Sequence, residues 1–204
     1  MARPSRSPDR PAGTPYALIG IVLAVLLLGT GAFLWMSGAD PGRAVIGGPF
    51  SLTSGDGKTV SDRDFRGKYM LIYFGYTFCP DVCPTSLNTM AEALDRLGPL
   101  GERVQPIFIT VDPKRDDPAA VKQYAAAFGP RMIGLTGTEE QIGAVARAFR
   151  VYYRENRTGT GPNDYSMDHS SILYLMGPDG RFIAPIRAEQ TPDAIAAVLR
   201  QRLS

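Results

Sequence analysis

Residues 69–84 read YMLIYFGYTFCPDVCP and combine an apolar run, a pair of cysteines and the start of a helical pattern. The run 69–74 is continuously apolar and rich in aromatic and branched residues, which predicts a strand buried on both faces. Apolar side chains then recur at helical spacing over residues 84–97. We therefore expect Cys79 and Cys83 to lie where a buried strand ends and a helix begins.

Strands and helices alternate along the rest of the chain. Hydrophobic runs predict strands at 49–52, 59–60, 104–111, 132–135, 170–176 and 181–184. Helical spacing predicts helices at 84–97, 117–128, 138–149 and 194–203, the last three with Asp117, Thr138 and Thr191 as cap residues. A strand-helix-strand unit followed by a hairpin and a final helix predicts an α/β domain with a central mixed sheet and a thioredoxin-like fold.

The two cysteines form a CxxxC motif at a helix N-terminus. Unpaired N–H groups and a partial positive charge there favour the thiolate, which is both a nucleophile and a metal ligand. Positions i and i+4 of a helix have Cβ atoms about 6 Å apart, whereas a disulfide prefers about 3.8 Å. The spacing therefore favours metal capture without excluding a disulfide. Two buried, inert cysteines are the third possibility, and the neighbouring Gly75, Pro80 and Pro84 argue against it.

Cys79, Cys83 and His169 are the only cysteines and the only histidine in the 204 residues. A lone histidine is by default a surface residue or a hydrogen-bonded core residue. His169 directly precedes the predicted strand 170–176, however, and in a thioredoxin-like fold the loop entering that strand faces the dithiol. Two thiolates and an imidazole suit copper, whereas structural zinc normally takes four protein ligands.

The N-terminal part of the chain predicts a membrane anchor. Residues 17–36 are twenty positions without a charge, long enough to cross the ~30 Å hydrocarbon core as a helix. Arg3, Arg6 and Arg10 precede this run, so the positive-inside rule predicts a cytoplasmic tail at 1–16. We expect an anchor at 17–36, a Gly-rich linker at 37–48 and the folded domain at 49–204. A cleaved signal peptide is the alternative, but its apolar region would be shorter, about 7–15 residues.

The charge balance excludes one class of partner. Without residues 1–16, nineteen basic and nineteen acidic side chains remain. This neutral balance argues against nucleic acid as a partner, because the phosphates of nucleic acid call for a basic surface. Two cysteines in an exported domain meet an oxidising environment, where they form a disulfide unless a metal or a reductant protects them.

Four separate motifs resemble the signatures of the SCO/SenC family. They are the segment 74–84 (FGYTFCPDVCP), the acidic loop 111–116 (VDPKRD), the segment 134–137 (GLTG) and the segment 168–170 (DHS). The resemblance spans about residues 48–203, with the motifs in the same order. The position of Phe78 often holds histidine in that family, but it is not a ligand position.

The resemblance implies a membrane-tethered copper metallochaperone that helps assemble the binuclear copper centre of cytochrome c oxidase. Cys79, Cys83 and His169 would then be the ligands of Cu(I) or Cu(II), and the copper-bearing subunit of the oxidase would be the main partner. Other copper chaperones or thioredoxin-like reductants are further expected partners. Asp112 and Asp116 match the family's acidic loop and are interpreted as structural, as partner-facing, or as part of a solvated loop.

Two other functions stay open. The chain could be a thiol-disulfide oxidoreductase that reduces the cysteines of the partner's copper site, with Cys79 as the attacking thiolate and Cys83 as the resolving thiol. A peroxidase-like enzyme or redox sensor is compatible with the fold but has no independent support in the sequence. We expect a single-pass inner membrane protein with its C-terminal domain in the periplasm.

Overall fold

The structure is a computed structural model, and it describes residues 16–36 and 46–203. The chain divides into two compact units, residues 1–44 and 45–204. The described part of the first unit is helix α1 (Tyr16–Met36). Over the described ranges, no helix has both the length and the apolar character that a membrane crossing requires. The predicted tail and linker fall outside the described residues, except for Tyr16 and residues 46–48.

The second unit contains nine strands and four α-helices among its described residues. In chain order they are β1 (Ser51–Ser54), β2 (Thr59–Ser61), β3 (Tyr69–Gly75), α2 (Val82–Arg96), β4 (Val104–Thr110), α3 (Pro118–Ala126), β5 (Ile133–Thr136), α4 (Glu139–Phe149), β6 (Tyr153–Arg157), β7 (Tyr165–His169), β8 (Ile172–Met176), β9 (Phe182–Arg187) and α5 (Pro192–Arg202). Two 3₁₀ helices, Asp62–Phe65 and Gly98–Arg103, complete the unit.

Seven strands form one mixed sheet in the order β2-β1-β5-β4-β3-β8-β9. Strand β3 pairs parallel to β4 and antiparallel to β8, and all seven of its residues are buried. This burial explains the continuous apolar run of β3, because a strand covered on both faces has no solvent-facing positions. Helices α2 and α5 pack against each other, and α3 packs against β5. The predicted α/β architecture with a central mixed sheet is confirmed.

The helix starts follow the predicted capping patterns. The side chain of Asp117 accepts a hydrogen bond from the N–H of Ala120 at 2.7 Å. Thr138 and Gln141 form a reciprocal capping box at the start of α4, and the Thr191 hydroxyl caps α5. Each of these contacts satisfies an N–H group that the first helical turn leaves unpaired.

Strands β6 and β7 were not predicted from the sequence. They form a two-stranded antiparallel sheet of their own, with Tyr153 opposite His169 and Arg157 opposite Tyr165. Strand β6 is polar and largely exposed, with the sequence YRENR, so it carries no hydrophobic alternation. The only signal is on β7, where Tyr165 and Met167 alternate with more exposed residues. The strand predicted at 170–176 begins at Ile172 instead.

Candidate metal centre

The cysteines lie in the connection between β3 and α2. Cys79 belongs to the loop before the helix and is partly exposed, whereas Cys83 is the second residue of α2 and is fully buried. Both are free cysteines. The backbone N–H of Cys83 donates a hydrogen bond to the sulfur of Cys79 at 3.3 Å. The first helical turn thus directs an unpaired N–H at a sulfur, as expected for a helix N-terminus.

His169 lies beside the two cysteines, although it is 86 residues away from Cys83 in the sequence. It is the last residue of β7, and its Nε2 is 3.1 Å from the Sγ of Cys83. The two sulfurs and one nitrogen of Cys79, Cys83 and His169 lie within 4.8 Å of one another. The structure therefore brings all three predicted site residues together.

The imidazole of His169 is oriented for ligand binding. Its Nδ1 is 3.4 Å from the carbonyl oxygen of Ser170. A carbonyl oxygen can only accept a hydrogen bond, so we assign the ring proton to Nδ1. The lone pair of Nε2 then faces the sulfurs, which is the arrangement that metal-binding histidines adopt when a backbone carbonyl orients the ring.

The two thiols differ in their protonation. The pKa of Cys79 is lowered to about 3, mainly by the hydrogen bond from the Cys83 thiol and also by backbone N–H groups at the helix start. The pKa of Cys83 is raised, because the same interaction holds its proton and because the side chain is buried. The pair thus holds one proton, which stays on the sulfur of Cys83, and the negative charge lies on the more accessible sulfur of Cys79.

Gly75 allows the cysteine of α2 to approach the sheet closely. A Cβ atom added at Gly75 would lie 2.8 Å from the Sγ of Cys83 and 3.1 Å from a ring carbon of Tyr73. The rings of Tyr73 and Tyr76 meet the imidazole of His169 edge to face, with centroids 5.9 and 6.0 Å away. Close packing at Gly75 therefore fixes the position of the Cys83 sulfur, and the two tyrosine rings fix the orientation of the His169 imidazole.

The two aspartates of the acidic loop are buried and structural. Asp112 and Asp116 are 2% and 0% exposed, so the interpretation of a solvated loop is wrong. Asp116 accepts hydrogen bonds from the backbone N–H of Thr77 at 2.9 Å and from its hydroxyl at 2.6 Å. The hydroxyl of Thr110 donates to the same carboxylate. Burial raises the pKa of Asp116 despite these donors. This carboxylate therefore anchors the loop that carries Cys79.

The donor set fits a thiophilic metal ion. Two sulfurs and one imidazole nitrogen, with no other cysteine or histidine in the chain, cannot supply the four Cys or His ligands of a typical structural zinc site. Over residues 16–36 and 46–203, no other cluster of three Cys, His, Asp or Glu side chains has this spacing. Such a set is suited to copper, which prefers thiolate and imidazole donors.

Sequence reasoning missed the residues that support the site. Arg115 stands out in the sequence only as part of the motif VDPKRD. In the structure its side chain is 7% exposed, and its guanidinium carbon lies 3.6 Å from the ring centroid of Tyr165. Tyr165 in turn donates a hydrogen bond from its hydroxyl to Asp112 at 2.8 Å. The only sequence signal is an arginine between Asp112 and Asp116 in one short loop. The role of Arg115 could not be predicted, because the sequence pattern does not predict the hairpin that it contacts.

Comparisons with known proteins match most of this chain. The family model SCO1/SenC matches residues 38–204. The human mitochondrial protein SCO1 homolog is 43% identical over 162 residues, which cover 76% of this chain and 52% of that protein. The chain spans about half the length of several curated relatives that it matches.

Solved structures are similar as well. The copper-bound structure of Bradyrhizobium japonicum ScoI is 47% identical, with a TM-score of 0.69 over 76% of this chain and 98% of that one. A structure that identifies a disulfide switch in BsSco, a member of the Sco family of cytochrome c oxidase assembly proteins, is 28% identical with a TM-score of 0.61, covering 78% and 94% of the two chains. Family model, sequence relatives and fold agree, and the chain belongs to the SCO1/SenC family.

Proposed function

We propose that this protein binds one copper ion through Cys79, Cys83 and His169 and delivers it during assembly of the binuclear copper centre of cytochrome c oxidase. The observation that carries the proposal is the Nε2 of His169 facing two sulfurs, with all three donor atoms within 4.8 Å. Copper-bound ScoI structures of similar fold support copper as the metal.

Copper capture follows from the protonation of the site. Cys79 is already a thiolate and offers the first bond to the metal. The thiol of Cys83 loses its proton when its sulfur binds the metal. His169 then donates its Nε2 lone pair. Two thiolates neutralise the charge of Cu(II) and leave the Cu(I) form with one negative charge. The same three donors therefore serve both oxidation states, at different net charge.

Delivery requires that a partner's ligands reach the metal. Cys79 is partly exposed, which offers a route for ligand exchange. Within residues 46–203, the exposed large hydrophobic side chains are Phe78, Val82 and Tyr152. Two of them adjoin the cysteines in sequence, and Tyr152 accepts a hydrogen bond from the N–H of Ser170, next to His169. These three exposed apolar side chains, termed the apolar rim, fit a partner protein better than a small polar substrate.

A membrane anchor forms part of the proposal. Its support is the sequence, in which twenty uncharged residues at 17–36 follow a tail with three arginines and one aspartate. The tail would lie in the cytoplasm and the copper domain in the periplasm, joined by the linker at 37–48. Such a tether would keep the domain close to a membrane-bound oxidase subunit.

Thiol-disulfide exchange is the second candidate function, favoured by the unequal protonation of the two thiols. The Cys79 thiolate would attack a disulfide of the partner, and Cys83 would resolve the mixed disulfide. One disulfide forms here as one is cleaved in the partner, which gains two thiols. A further thiol reductant would then restore the pair. The disulfide switch described for BsSco belongs to a related protein and supports this second candidate.

Substitution of His169 separates the two functions. Purified full-length His169→Ala should have a weaker and shifted Cu(II)–thiolate absorption and bind Cu(I) at least tenfold more weakly than the wild type, because a ligand is lost. It should still reduce a model disulfide, whereas Cys79→Ser should lose both activities. Undiminished copper binding by His169→Ala would contradict the proposed metal site.

A further inference from the structure

The strand that carries His169 is not part of the main sheet. Among the residues that the structure describes, strands β6 and β7 pair only with each other, whereas the cysteines lie between the main sheet and α2. An isolated two-stranded hairpin is at best marginally stable in water. The position of His169 relative to the sulfurs therefore depends on contacts that tie the hairpin to the rest of the domain.

Arg115 makes several of these contacts at the far end of β7. Its Nη1 donates hydrogen bonds to the carbonyl oxygens of Tyr165 at 2.9 Å and Asn163 at 3.2 Å. Its guanidinium stacks on the Tyr165 ring at 3.6 Å, and its Nε pairs with Asp112, which also accepts from the Tyr165 hydroxyl. The side chains of Arg115 and Asp112 are 7% and 2% exposed, so solvent screens this ion pair little.

The same guanidinium reaches the loop of the cysteines. It lies 4.8 Å from the ring centroid of Phe78 and 5.8 Å from that of Tyr76. Phe78 immediately precedes Cys79, and the Tyr76 ring contacts the imidazole of His169. One planar cation thus lies between an aromatic residue of the hairpin and aromatic residues of the metal loop, an arrangement that a lysine cannot reproduce.

We propose that Arg115 is a positioning residue that, held by Asp112, locks hairpin β6–β7 against the cysteine loop and thereby sets the place of His169 relative to the two sulfurs. This inference rests on the proposed function, because it assigns a role toward the copper ligands. Tyr165 and His169 are four residues apart on one strand, about 13 Å at the usual rise. A tilt of the hairpin at Arg115 therefore displaces the imidazole at the other end.

A double-mutant cycle tests whether Arg115 acts through His169. Full-length Arg115→Lys keeps the charge but loses the planar stack and the paired donors. We expect it to weaken Cu(I) binding about tenfold in the wild-type background and less than twofold in the His169→Ala background. The matched control is Arg131→Lys. Arg131 also contacts carboxylates and a carbonyl oxygen, but its partners are Asp95, Glu102 and Gly101, which belong neither to the hairpin nor to the cysteine loop. It should leave copper affinity unchanged.

Equal loss of affinity in both backgrounds would overturn the proposal, since a general loss of structure needs no histidine. So would unchanged affinity in Arg115→Lys. Should that variant fail to fold, Tyr165→Phe serves in its place, because it removes only the hydroxyl that donates to Asp112 and keeps the stacked ring. It should weaken binding in the same direction, about threefold, and again only when His169 is present.

A metal-free measurement separates this inference from the proposed function. In the reduced protein without copper, the ring resonances of His169 should shift and broaden in Arg115→Lys but stay unchanged in Arg131→Lys. Ring resonances that match the wild type in Arg115→Lys would overturn the inference. Failure of the wild type to bind copper would instead refute the proposed function, and the His169 resonances would still decide the role of Arg115.

Discussion

Replacement of Gly75 by alanine should disturb the candidate metal site through steric overlap alone. The new Cβ would lie 2.8 Å from the Sγ of Cys83, 3.1 Å from a ring carbon of Tyr73 and 3.2 Å from a ring carbon of Phe108. Ordinary contacts between nonbonded heavy atoms are about 3.5–4.0 Å. The sulfur must therefore move by roughly 0.7–1.2 Å in a region where β3 is buried and Cys83 is fully buried.

Overpacking of this kind costs about 1–3 kcal/mol. In a domain of this size each kcal/mol lowers the melting temperature by about 2–4 °C, so a fall of roughly 2–12 °C is expected by calorimetry. Displacement of one ligand should also weaken Cu(I) binding about 10–100-fold in competition with a chelator. The matched control is Gly48→Ala, whose Cβ would meet only Ala148 at an ordinary 3.6 Å. Wild-type stability and copper affinity in Gly75→Ala would refute the described packing of Cys83.

Three further predictions concern the thiols, the loop anchor and the rim. In the reduced, metal-free protein, the rate at which iodoacetamide alkylates Cys79 should reach its plateau by pH 5, because a pKa of about 3 keeps Cys79 a thiolate at higher pH. Cys83→Ala removes the main hydrogen-bond donor to Cys79 and should shift this pH profile to higher pH. Asp116→Ala should lower the unfolding free energy by about 2–5 kcal/mol in denaturant titrations, since buried donors lose their acceptor, whereas Asp116→Asn should lose less than half of that. Val82→Ser combined with Tyr152→Ser should slow copper transfer to the oxidase subunit about tenfold but leave transfer to a small chelator unchanged, as stopped-flow absorbance can measure.

The clustering of Cys79, Cys83 and His169 could be predicted from the sequence because the chain contains so few alternatives. Only two cysteines and one histidine exist, and the order of strands and helices directs the segment before β8 toward the start of α2. The buried strand β3 and the caps of α3, α4 and α5 follow local rules of periodicity and capping, which act within a few residues.

The support of the site could not be predicted, because it depends on contacts between distant segments. Strand β6 has no apolar alternation, and its pairing with β7 is visible only in three dimensions. The acidic loop looked solvated in sequence, yet Asp116 binds Thr77, which is 39 residues away. Arg115 and Tyr165 are 50 residues apart and meet only once the hairpin is in place.

X-ray absorption spectroscopy of the copper-loaded, reduced protein tests the central assignment most directly. We predict that the copper has two sulfur neighbours and one imidazole nitrogen neighbour, and that His169→Ala removes the nitrogen contribution while both sulfurs remain. A wild-type spectrum with sulfur neighbours only, or one that His169→Ala leaves unchanged, would contradict the account.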